Sequence, residues 1–275
     1  MNPKRQIPHS EGLRSLRRLE LLRLFFATSL ASELEYRSNF AFAVLSAALN
    51  LGASVFTVRL FFTHGATLGG WSWPAALVVL GAFTVLSGFS QSFLQPNLNR
   101  LVEQVREGTL DFVLLKPVDA QFWLSARRFS PWGLPDSLLG LLLIAIGAVQ
   151  ANASLTGLMA LLASSLFSVT ILYSLWFMMA TTTVWFVQIY NVTEVLRGLL
   201  DAGRFPIDAF PAGAYRFVFT FVVPVAFMTS VPARALIGEL HASWLWGAGG
   251  LALGLLFGSR AFFRFAMRYY TSASS

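Results

Sequence analysis

The sequence has no cysteine and only three histidines, and both shortages exclude kinds of chemistry. Without cysteine the chain forms no disulfide and no thiolate metal site, while the redox compartment stays undecided. His9, His64 and His241 are far apart and form no HExxH motif or other ligand cluster. We therefore expect the chain to hold no metal ion.

Lysine is also scarce, which bears on nucleotide chemistry. The only lysines are Lys4 and Lys116, and neither follows the glycine-rich turn that holds phosphates in a P-loop. The sequence contains no GxSxG elbow either. We expect the chain to be neither an ATPase nor another enzyme, and to bind no cofactor. A membrane-embedded lipid-modifying enzyme is disfavoured, because it would need ionisable groups clustered at one depth.

Charged residues make up only 12% of the sequence, whereas hydrophobic residues make up 56%. Because an ordinary soluble domain has about 25% charged residues, this balance predicts a membrane protein. A helix needs about 20 apolar residues to cross ~30 Å of hydrocarbon. The sequence therefore predicts an all-α membrane protein with six transmembrane helices, over residues 39–62, 74–94, 134–149, 155–188, 211–231 and 244–263.

The fourth and fifth spans are less regular than the others. The fourth apolar stretch is too long for one perpendicular crossing, so the helix either tilts into the cytoplasm or breaks near Thr181–Thr183. Pro224 interrupts the fifth span, and the amphipathic piece that starts at Pro232 suits a re-entrant or outer-face helix. Residues 191–210 are predicted to form an inner connection between these two spans.

The distribution of lysine and arginine orients the spans. With both termini in the cytoplasm, all of the 20 lysines and arginines except Arg59, Arg216 and Arg234 fall in inner segments. Arg216 is expected inside the fifth span near the inner face. The net charge of +7 is thereby explained by topology, and no nucleic-acid partner is expected.

The first 38 residues are predicted to be a cytoplasmic tail with an interfacial helix, followed by one transmembrane domain over residues 39–275. From Leu13 to Arg37, leucines and arginines divide between opposite sides of a helix, which is typical of a helix lying along anionic headgroups. A solvated basic tail is the alternative. The first long apolar run comes too late for a cleavable signal peptide.

The loop from Gln95 to Pro131 is the longest charged interval between two predicted spans. Its first half has helical apolar spacing, which Gly108 ends, and a second short helix is predicted up to Pro117. We interpret the loop as two short helices on a membrane face, either receiving mechanical input from a partner or passively covering the interface. The stripe of the first helix consists of Leu98, Leu101, Val102 and Val105, with Glu103 and Arg106 off it.

Few polar residues lie inside the spans. Asn50 and Gln91 either line a translocation path or form ordinary interhelical hydrogen bonds. In the first case the apolar wall is predicted to include Phe56, Phe89 and Phe93. Asp136 is interpreted as a carboxylate favoured by a helix N-terminus rather than as a proton carrier. A ladder of Gly250, Gly254 and Gly258 predicts close packing, either within the bundle or between subunits.

Three stretches carry a family resemblance: VREGTLDFVLLKPVDAQF (Val105–Phe122), RFPIDAFP (Arg204–Pro211) and FVVPVAFMTSVPARAL (Phe221–Leu236). With the interfacial helix and six spans, they resemble the permease subunits of bacterial ABC-2-type transporters. The resemblance covers nearly the whole chain, and EGTLDFVLLKP is its most specific part.

The resemblance implies an exporter of drug-like, lipid or glycoconjugate substrates in the bacterial cytoplasmic (inner) membrane. Its partners would be two cytoplasmic ABC ATPase subunits, which bind ATP and Mg, a second permease that is identical or paralogous, and membrane lipids. A non-transporting assembly or anchor subunit remains the alternative.

The resemblance also gives roles to particular segments. The helix at Leu98–Glu107 would be the coupling helix that docks in a cleft of the ATPase, and Gly108–Pro117 would brace it. Leu13–Arg37 would be the connecting helix. The implied ATPase-coupling residues are Leu98, Leu101, Val102, Glu103, Val105, Arg106, Gly108, Asp111, Lys116 and Pro117.

Overall fold

The computed structural model describes residues 37–63, 68–186 and 197–270, and the predicted interfacial helix lies outside these ranges except for Arg37. Within the described ranges all regular structure is helical apart from one isolated bridge between Leu68 and Trp71. The all-α prediction is confirmed. The helices are α1 (Arg37–Thr63), α2 (Trp73–Phe89), α3 (Gln95–Arg106), α4 (Asp111–Leu114), α5 (Ala120–Ala126), α6 (Leu134–Gln150), α7 (Leu155–Thr181), α8 (Ala214–Phe217), α9 (Val225–Met228), α10 (Ser230–Leu236) and α11 (Ala242–Ala266).

Five helices in the described ranges are long and apolar enough to cross a membrane, and the count reaches six if one bent pair is a span. The long helices correspond to the first, second, third, fourth and sixth predicted spans. Their bounds are Phe40–Thr63, Trp73–Arg106, Pro131–Gln150, Leu155–Val184 and Ala242–Ala266.

The second span and the predicted coupling helix are one continuous helix. α2 passes through a π-helical turn at Ser90–Leu94 directly into α3. Pro96 explains this turn, because proline has no N–H to offer the Ser92 carbonyl one turn earlier. That carbonyl instead accepts the Ser130 N–H at 2.9 Å, which ties the end of the following loop to the helix.

Helices α2 and α6 pack antiparallel at very short range. A Cβ atom added to Gly81 would lie 2.8 Å from the Gly140 carbonyl oxygen, and one added to Gly147 would lie 2.8 Å from that of Pro74. Glycine on the facing positions lets the two backbones approach. This pair forms the rigid wall on which the site described below is built.

The two ends of the bundle differ in charge. We call the end that holds α3, α4 and α5 the basic end, and the opposite end, where α2 begins, the Trp71 end. α11 runs toward the basic end, since Arg260 on its last third pairs with Asp119 at the start of α5. The basic end carries Arg100, Arg106, Lys116, Arg127, Arg128 and Arg264.

The end of the fourth span settles one open alternative. α7 stops at Thr181 and tightens into a 3₁₀ turn over Thr182–Val184. The hydroxyls of Thr181, Thr182 and Thr183 donate to the carbonyls of Phe177, Met179 and Ala180. Such back-bonding competes with the regular ladder and bends a helix. The helix therefore changes at the three threonines, as one of the two alternatives predicted.

The predicted inner connection over residues 191–210 is wrong in its second half. Arg204 lies 5.1 Å from the centroid of the Phe83 ring, about halfway along α2. Asp208, only four residues later, accepts a hydrogen bond from Trp71 Nε1 at 2.9 Å. Residues 204–208 therefore run through the bundle toward the Trp71 end. It does so in two 3₁₀ turns, Asp201–Arg204 and Ile207–Ala209, since Pro206 prevents a continuous α-helix.

The predicted fifth span over residues 211–231 is also corrected. α8 with its π turn and the α9–α10 pair are bent by 60° at Pro224. Arg216 on the first arm and Arg234 on the second both pair with Asp208 at the Trp71 end. The two arms therefore enter from and return to the same end, which makes residues 214–236 a re-entrant hairpin. The expectation that Arg216 lies near the inner face is wrong for the same reason.

The glycine ladder on α11 makes no contact in the described part of the chain. A Cβ atom added to Gly250, Gly254 or Gly258 would have no atom within 4 Å. Packing within the bundle is therefore not its role in these ranges. Contact with another subunit stays a prediction.

Candidate functional site

A polar cavity of about 420 Å³ lies between α1, α2, the start of α6 and residues 197–204. Four ionisable groups, two acidic and two basic, lie in its wall. They belong either to a predicted membrane-spanning helix or to residues 197–204, which lead into the crossing described above. Ionisable groups at such depth are rare and usually mark a substrate or ion path. The polar wall is formed by Asn50, Thr84, Ser87, Gln91, Gln95, Asp136, Arg197, Asp201 and Arg204.

The polar groups of the wall are held by short contacts between elements. Gln91 Nε2 on the π turn donates to Asp136 Oδ2 at 2.6 Å, which joins α2 to the first turn of α6. Arg204 donates to Asp201 Oδ1 at 3.4 Å, and both side chains remain more than a third exposed. The acidic side chain of Asp136 therefore has a fixed position, whereas the Asp201–Arg204 pair is loose enough to rearrange around a ligand.

The cavity continues toward the basic end. A second cavity of about 320 Å³ shares Gln91, Gln95 and Trp132 with the first and extends to Arg100 and Glu103 on α3. A polar path therefore connects the middle of the bundle with the surface of the predicted coupling helix.

An apolar cluster closes the path at the Trp71 end. Beyond Leu80 the cavity gives way to closely packed side chains, several of them almost fully buried. Water and polar solutes have no partner there, so the cavity is open at one end only. The cluster contains Val58, Leu68, Ala76, Leu77, Leu80 and Leu143, with Phe205 against it.

A charged clip lies at the same end of the bundle. Asp208 pairs with Arg234 and, at 3.5 Å, with Arg216, and it accepts the hydrogen bond from Trp71. Arg234 also lies 5.0 Å from the centroid of the Trp71 ring. The clip joins the turn before α2, the crossing segment and both arms of the hairpin at one carboxylate.

The predicted path residues divide into two groups. Asn50 and Gln91 both line the polar cavity, and Gln91 also makes the interhelical hydrogen bond that was the alternative. The three phenylalanines are elsewhere. Phe89 and Phe93 stack on each other at 5.2 Å on the opposite side of the helix, and Phe56 is 63% exposed on α1. None of the three lines this cavity, and their place in a translocation path stays a prediction.

Sequence reasoning missed Arg197, Asp201 and Arg204 as cavity residues. They were assigned to an inner connection because charged residues recur between residues 191 and 210. Their spacing of i, i+4 and i+7 was a usable signal, since it places three charges on one helical face. Asp136 was recognised as a helix N-terminal residue, and it does lie in the first turn of α6, but its contact with Gln91 was not foreseen.

The apolar stripe of α3 faces the bundle rather than a membrane surface. Leu98 and Leu101 are fully buried and Val105 nearly so, and all three belong to the main core. Val102 packs against this core, whereas Glu103 and Arg106 are exposed, with Glu103 paired to Arg100 at 2.7 Å. The predicted helix and its stripe are therefore present, but the stripe is a packing surface.

The turn after α3 ends the helix as predicted. Gly108 adopts φ +67°. The Gly108 and Thr109 N–H groups donate to the carbonyls of Val105 and Gln104, which is the Schellman arrangement. The chain then forms α4, and its Phe112 and the following residue, Leu115, are 71% and 82% exposed. These are the two most exposed large apolar side chains of the loop, and Asp111, Lys116 and Pro117 are next to them in sequence.

The rest of the loop is fastened to α7 and α11. Asp119 caps α5 by accepting the Phe122 N–H at 2.9 Å, and its other oxygen accepts from Arg260 at 2.6 Å. Gln121 donates to Tyr173 on α7 at 3.1 Å. Lys116 Nζ lies 4.7 Å from the centroid of the Trp123 ring, so the exposed turn is tied to α5. The turn after α4 is therefore connected through α5 to both α7 and α11.

No group of three or more His, Asp or Glu side chains that could hold a metal ion occurs among the described residues. The ionisable groups of the cavity alternate in sign instead of gathering as an acidic ligand set. The arrangement suits binding and movement of a polar solute rather than metal chemistry.

Comparisons with known proteins agree with this geometry. The search of curated proteins found no match. The family described as "ABC-2 family transporter protein" matches residues 48–274, which include the four ionisable groups of the cavity, the clip and the whole α3–α5 loop. This family supplies the membrane component of ABC transporters and is not a family of enzymes. The chain is a multi-pass membrane protein that belongs to the ABC-2 transporter family.

Proposed function

We propose that this chain moves a drug-like, lipid or glycoconjugate substrate out of the cytoplasm through the polar cavity, using ATP hydrolysed by a separate subunit. The observation that carries the proposal is the cavity itself. It holds Asp136, Arg197, Asp201 and Arg204 at membrane depth, opens toward the basic end, and is closed by apolar packing at the other. A passive anchor has no need for such a cavity, because buried charges are costly in a membrane.

The basic end suits a cytoplasmic partner. By the positive-inside rule the basic end faces the cytoplasm. The family resemblance implies that this is the cytoplasm of a bacterium. The expected partners are two ABC ATPase subunits, which carry ATP and Mg, and a second permease that is identical or paralogous. This chain binds no cofactor in the proposal.

We assign the docking contact to α4 rather than to the stripe of α3. Phe112 and Leu115 are exposed apolar side chains surrounded by charge, which is the usual composition of an interface centre and rim. The exposed Glu103 and Arg106 would form part of the rim. In this proposal α3 transmits a displacement of α4 to α2, because α2 and α3 form one continuous helix.

Co-purification with a co-expressed ABC ATPase subunit from the same organism tests this assignment. Phe112→Glu and Leu115→Glu place a charge at the proposed contact without disturbing the core, and each should reduce the recovered ATPase at least tenfold. Phe112→Tyr and Leu115→Met keep the apolar contact and should retain it. Val105→Asp is unsuitable, because Val105 is buried and its loss tests folding.

The same preparations test transport. In proteoliposomes, Arg204→Gln should lower substrate-stimulated ATP hydrolysis and export of fluorescent drug-like, lipid and glycoconjugate probes, while leaving the ATPase bound. If the complex forms but no probe moves, and Arg204→Gln changes nothing, the chain is a non-transporting anchor and the proposal fails.

A further inference from the structure

We infer that a small cavity beside the polar cavity binds an apolar group bearing one uncharged oxygen that accepts hydrogen bonds, such as a ketone or ester end. We call this space the indole cavity, because Trp176 on α7 lies in its wall. The inference concerns a second binding site and does not depend on the proposed transport function.

The indole cavity measures about 50 Å³ and lies between α2 with its π turn, α7, α9 and residues 197–201. It adjoins the polar cavity, because Phe83, Ser87, Gln95, Arg197 and Asp201 line both spaces. Most of its remaining wall is apolar, unlike that of its neighbour. The apolar part of the wall is formed by Phe83, Leu86, Leu172, Leu200, Val225 and Met228.

Two buried polar groups of this wall are left without a partner. Trp176 is 2% exposed and Ser90 is 6% exposed. Neither the Trp176 Nε1–H nor the Ser90 hydroxyl forms a hydrogen bond with any residue that the structure describes. Ser87, Thr229 and Asp201, which also line the cavity, each have a partner. Because an unpaired buried donor is costly, the indole and the Ser90 hydroxyl mark the place for a ligand atom.

The indole decides which kind of ligand atom fits. An indole N–H can only donate, so the ligand atom that meets Trp176 must accept a hydrogen bond, which excludes an ammonium group. The Ser90 hydroxyl can donate to the same atom. Since most of the wall is apolar, an ionised acceptor would lose its hydration without compensation, whereas an uncharged oxygen on an apolar group would not.

The volume of the indole cavity suits an end group of a ligand. One water needs roughly 10–15 Å³ of such space, and an apolar cavity of about 150 Å³ holds benzene. The 50 Å³ of the indole cavity lies between these limits. A buried water usually makes about three hydrogen bonds, but this wall offers two unpaired groups for a space larger than one water. An oxygen with carbon attached fills it better, and apolar walls with a few polar groups are typical of ligand sites.

Methyl NMR of the full-length protein in lipid nanodiscs measures occupancy of the indole cavity. Met228 lines the cavity, is 2% exposed, and is one of six methionines in the sequence. Its methyl resonance, assigned with Met228→Leu, is followed during titration without ATPase or nucleotide. The probes are butanone, 2-methylbut-1-ene, propanoate and 2-aminobutane, which have the same number of non-hydrogen atoms. The concentration of each probe is corrected for its partition into empty nanodiscs.

Butanone should bind about tenfold more tightly than 2-methylbut-1-ene, which has no acceptor, as expected for one hydrogen bond from a buried donor. Propanoate and 2-aminobutane should bind no better than the alkene. Trp176→Phe keeps an aromatic ring but removes the donor, and it should abolish the preference for butanone. Ser90→Ala should weaken butanone binding. Ser92→Ala should leave it unchanged, because Ser92 is a buried and unpaired serine of the same turn that does not line the cavity.

Equal binding of butanone and the alkene would show that the indole donor is not used, and the inference would be wrong. Tighter binding of propanoate would overturn the uncharged assignment. If no probe moves the Met228 resonance, the cavity holds water only and the inference also fails. If Trp176→Phe does not fold, the comparison of Ser90→Ala with Ser92→Ala decides instead. Each of these failures leaves the proposed transport function standing, since the ATPase and export assays test it separately.

Discussion

A close contact between α2 and α6 gives a quantitative prediction. A Cβ atom added to Gly81 would lie 2.8 Å from both the Gly140 carbonyl oxygen and Ile144 Cγ1, whereas ordinary contact begins at 3.4 Å. In Gly81→Ala, α2 and α6 must therefore separate by at least a few tenths of an ångström along much of their length. Overpacking of this kind costs about 1–3 kcal/mol.

Gly250→Ala is the matched control. It adds the same methyl group to the interior of a helix, but no atom lies within 4 Å of the new position. Both substitutions gain about 1 kcal/mol of helix propensity, so this term cancels between them. Gly81→Ala should consequently be about 1–3 kcal/mol less stable than Gly250→Ala, a difference of roughly 2–10 °C in midpoint for a domain of this size.

Thermal unfolding of the purified protein in detergent, followed by tryptophan fluorescence, measures the difference. Gly140→Ala, the partner position, should behave like Gly81→Ala, because its added Cβ would lie 2.7 Å from the Val85 nitrogen. If Gly81→Ala and Gly250→Ala unfold at the same temperature, α2 and α6 are not in contact as described.

The remaining predictions concern the clip and the loop. Asp208→Asn removes the carboxylate shared by Arg216 and Arg234 and should lower stability by on the order of 1–3 kcal/mol, as for other charged hydrogen bonds. Glu239→Gln, an exposed change of equal charge at the same end, should have no measurable effect on the unfolding midpoint, and a similar loss in both variants would argue against the clip. Gly108→Ala forces alanine into φ +67° and should cost about 1 kcal/mol, whereas Gly108→Asn should be tolerated since asparagine accepts this conformation. Equal unfolding midpoints for these two variants would contradict the turn geometry.

Much of the fold could be predicted because it depends on local signals. Apolar runs of sufficient length located five long helices, and Gly108 and Pro117 marked the ends of α3 and α4. The break at Thr181–Thr183 and the bend at Pro224 were also visible in the sequence, as hydroxyl and proline effects on the helical ladder.

The crossing at residues 201–210 could not be predicted by the same reasoning. It is short, polar and mostly 3₁₀, so neither length nor hydropathy identifies it, and its place depends on contacts of Asp208 with Trp71 and Arg234 far away in sequence. The orientation of the α3 stripe failed for a related reason. Periodicity shows that one side of a helix is apolar but not whether lipid or protein covers it.

The continuous helix from Trp73 to Arg106 has a mechanical consequence. An added Cβ at Gly88 would overlap the Gly133 carbonyl oxygen, so this helix is held against the start of α6 only three residues before Gln91. At 1.5 Å per residue, Arg106 lies about 27 Å and Gln91 about 4.5 Å from that contact, so a sideways shift of about 2.5 Å at Arg106 displaces Gln91 by only about 0.4 Å. The 2.6 Å hydrogen bond from Gln91 to Asp136 survives such a shift, and opening the cavity wall therefore requires α2 and α6 to move relative to each other.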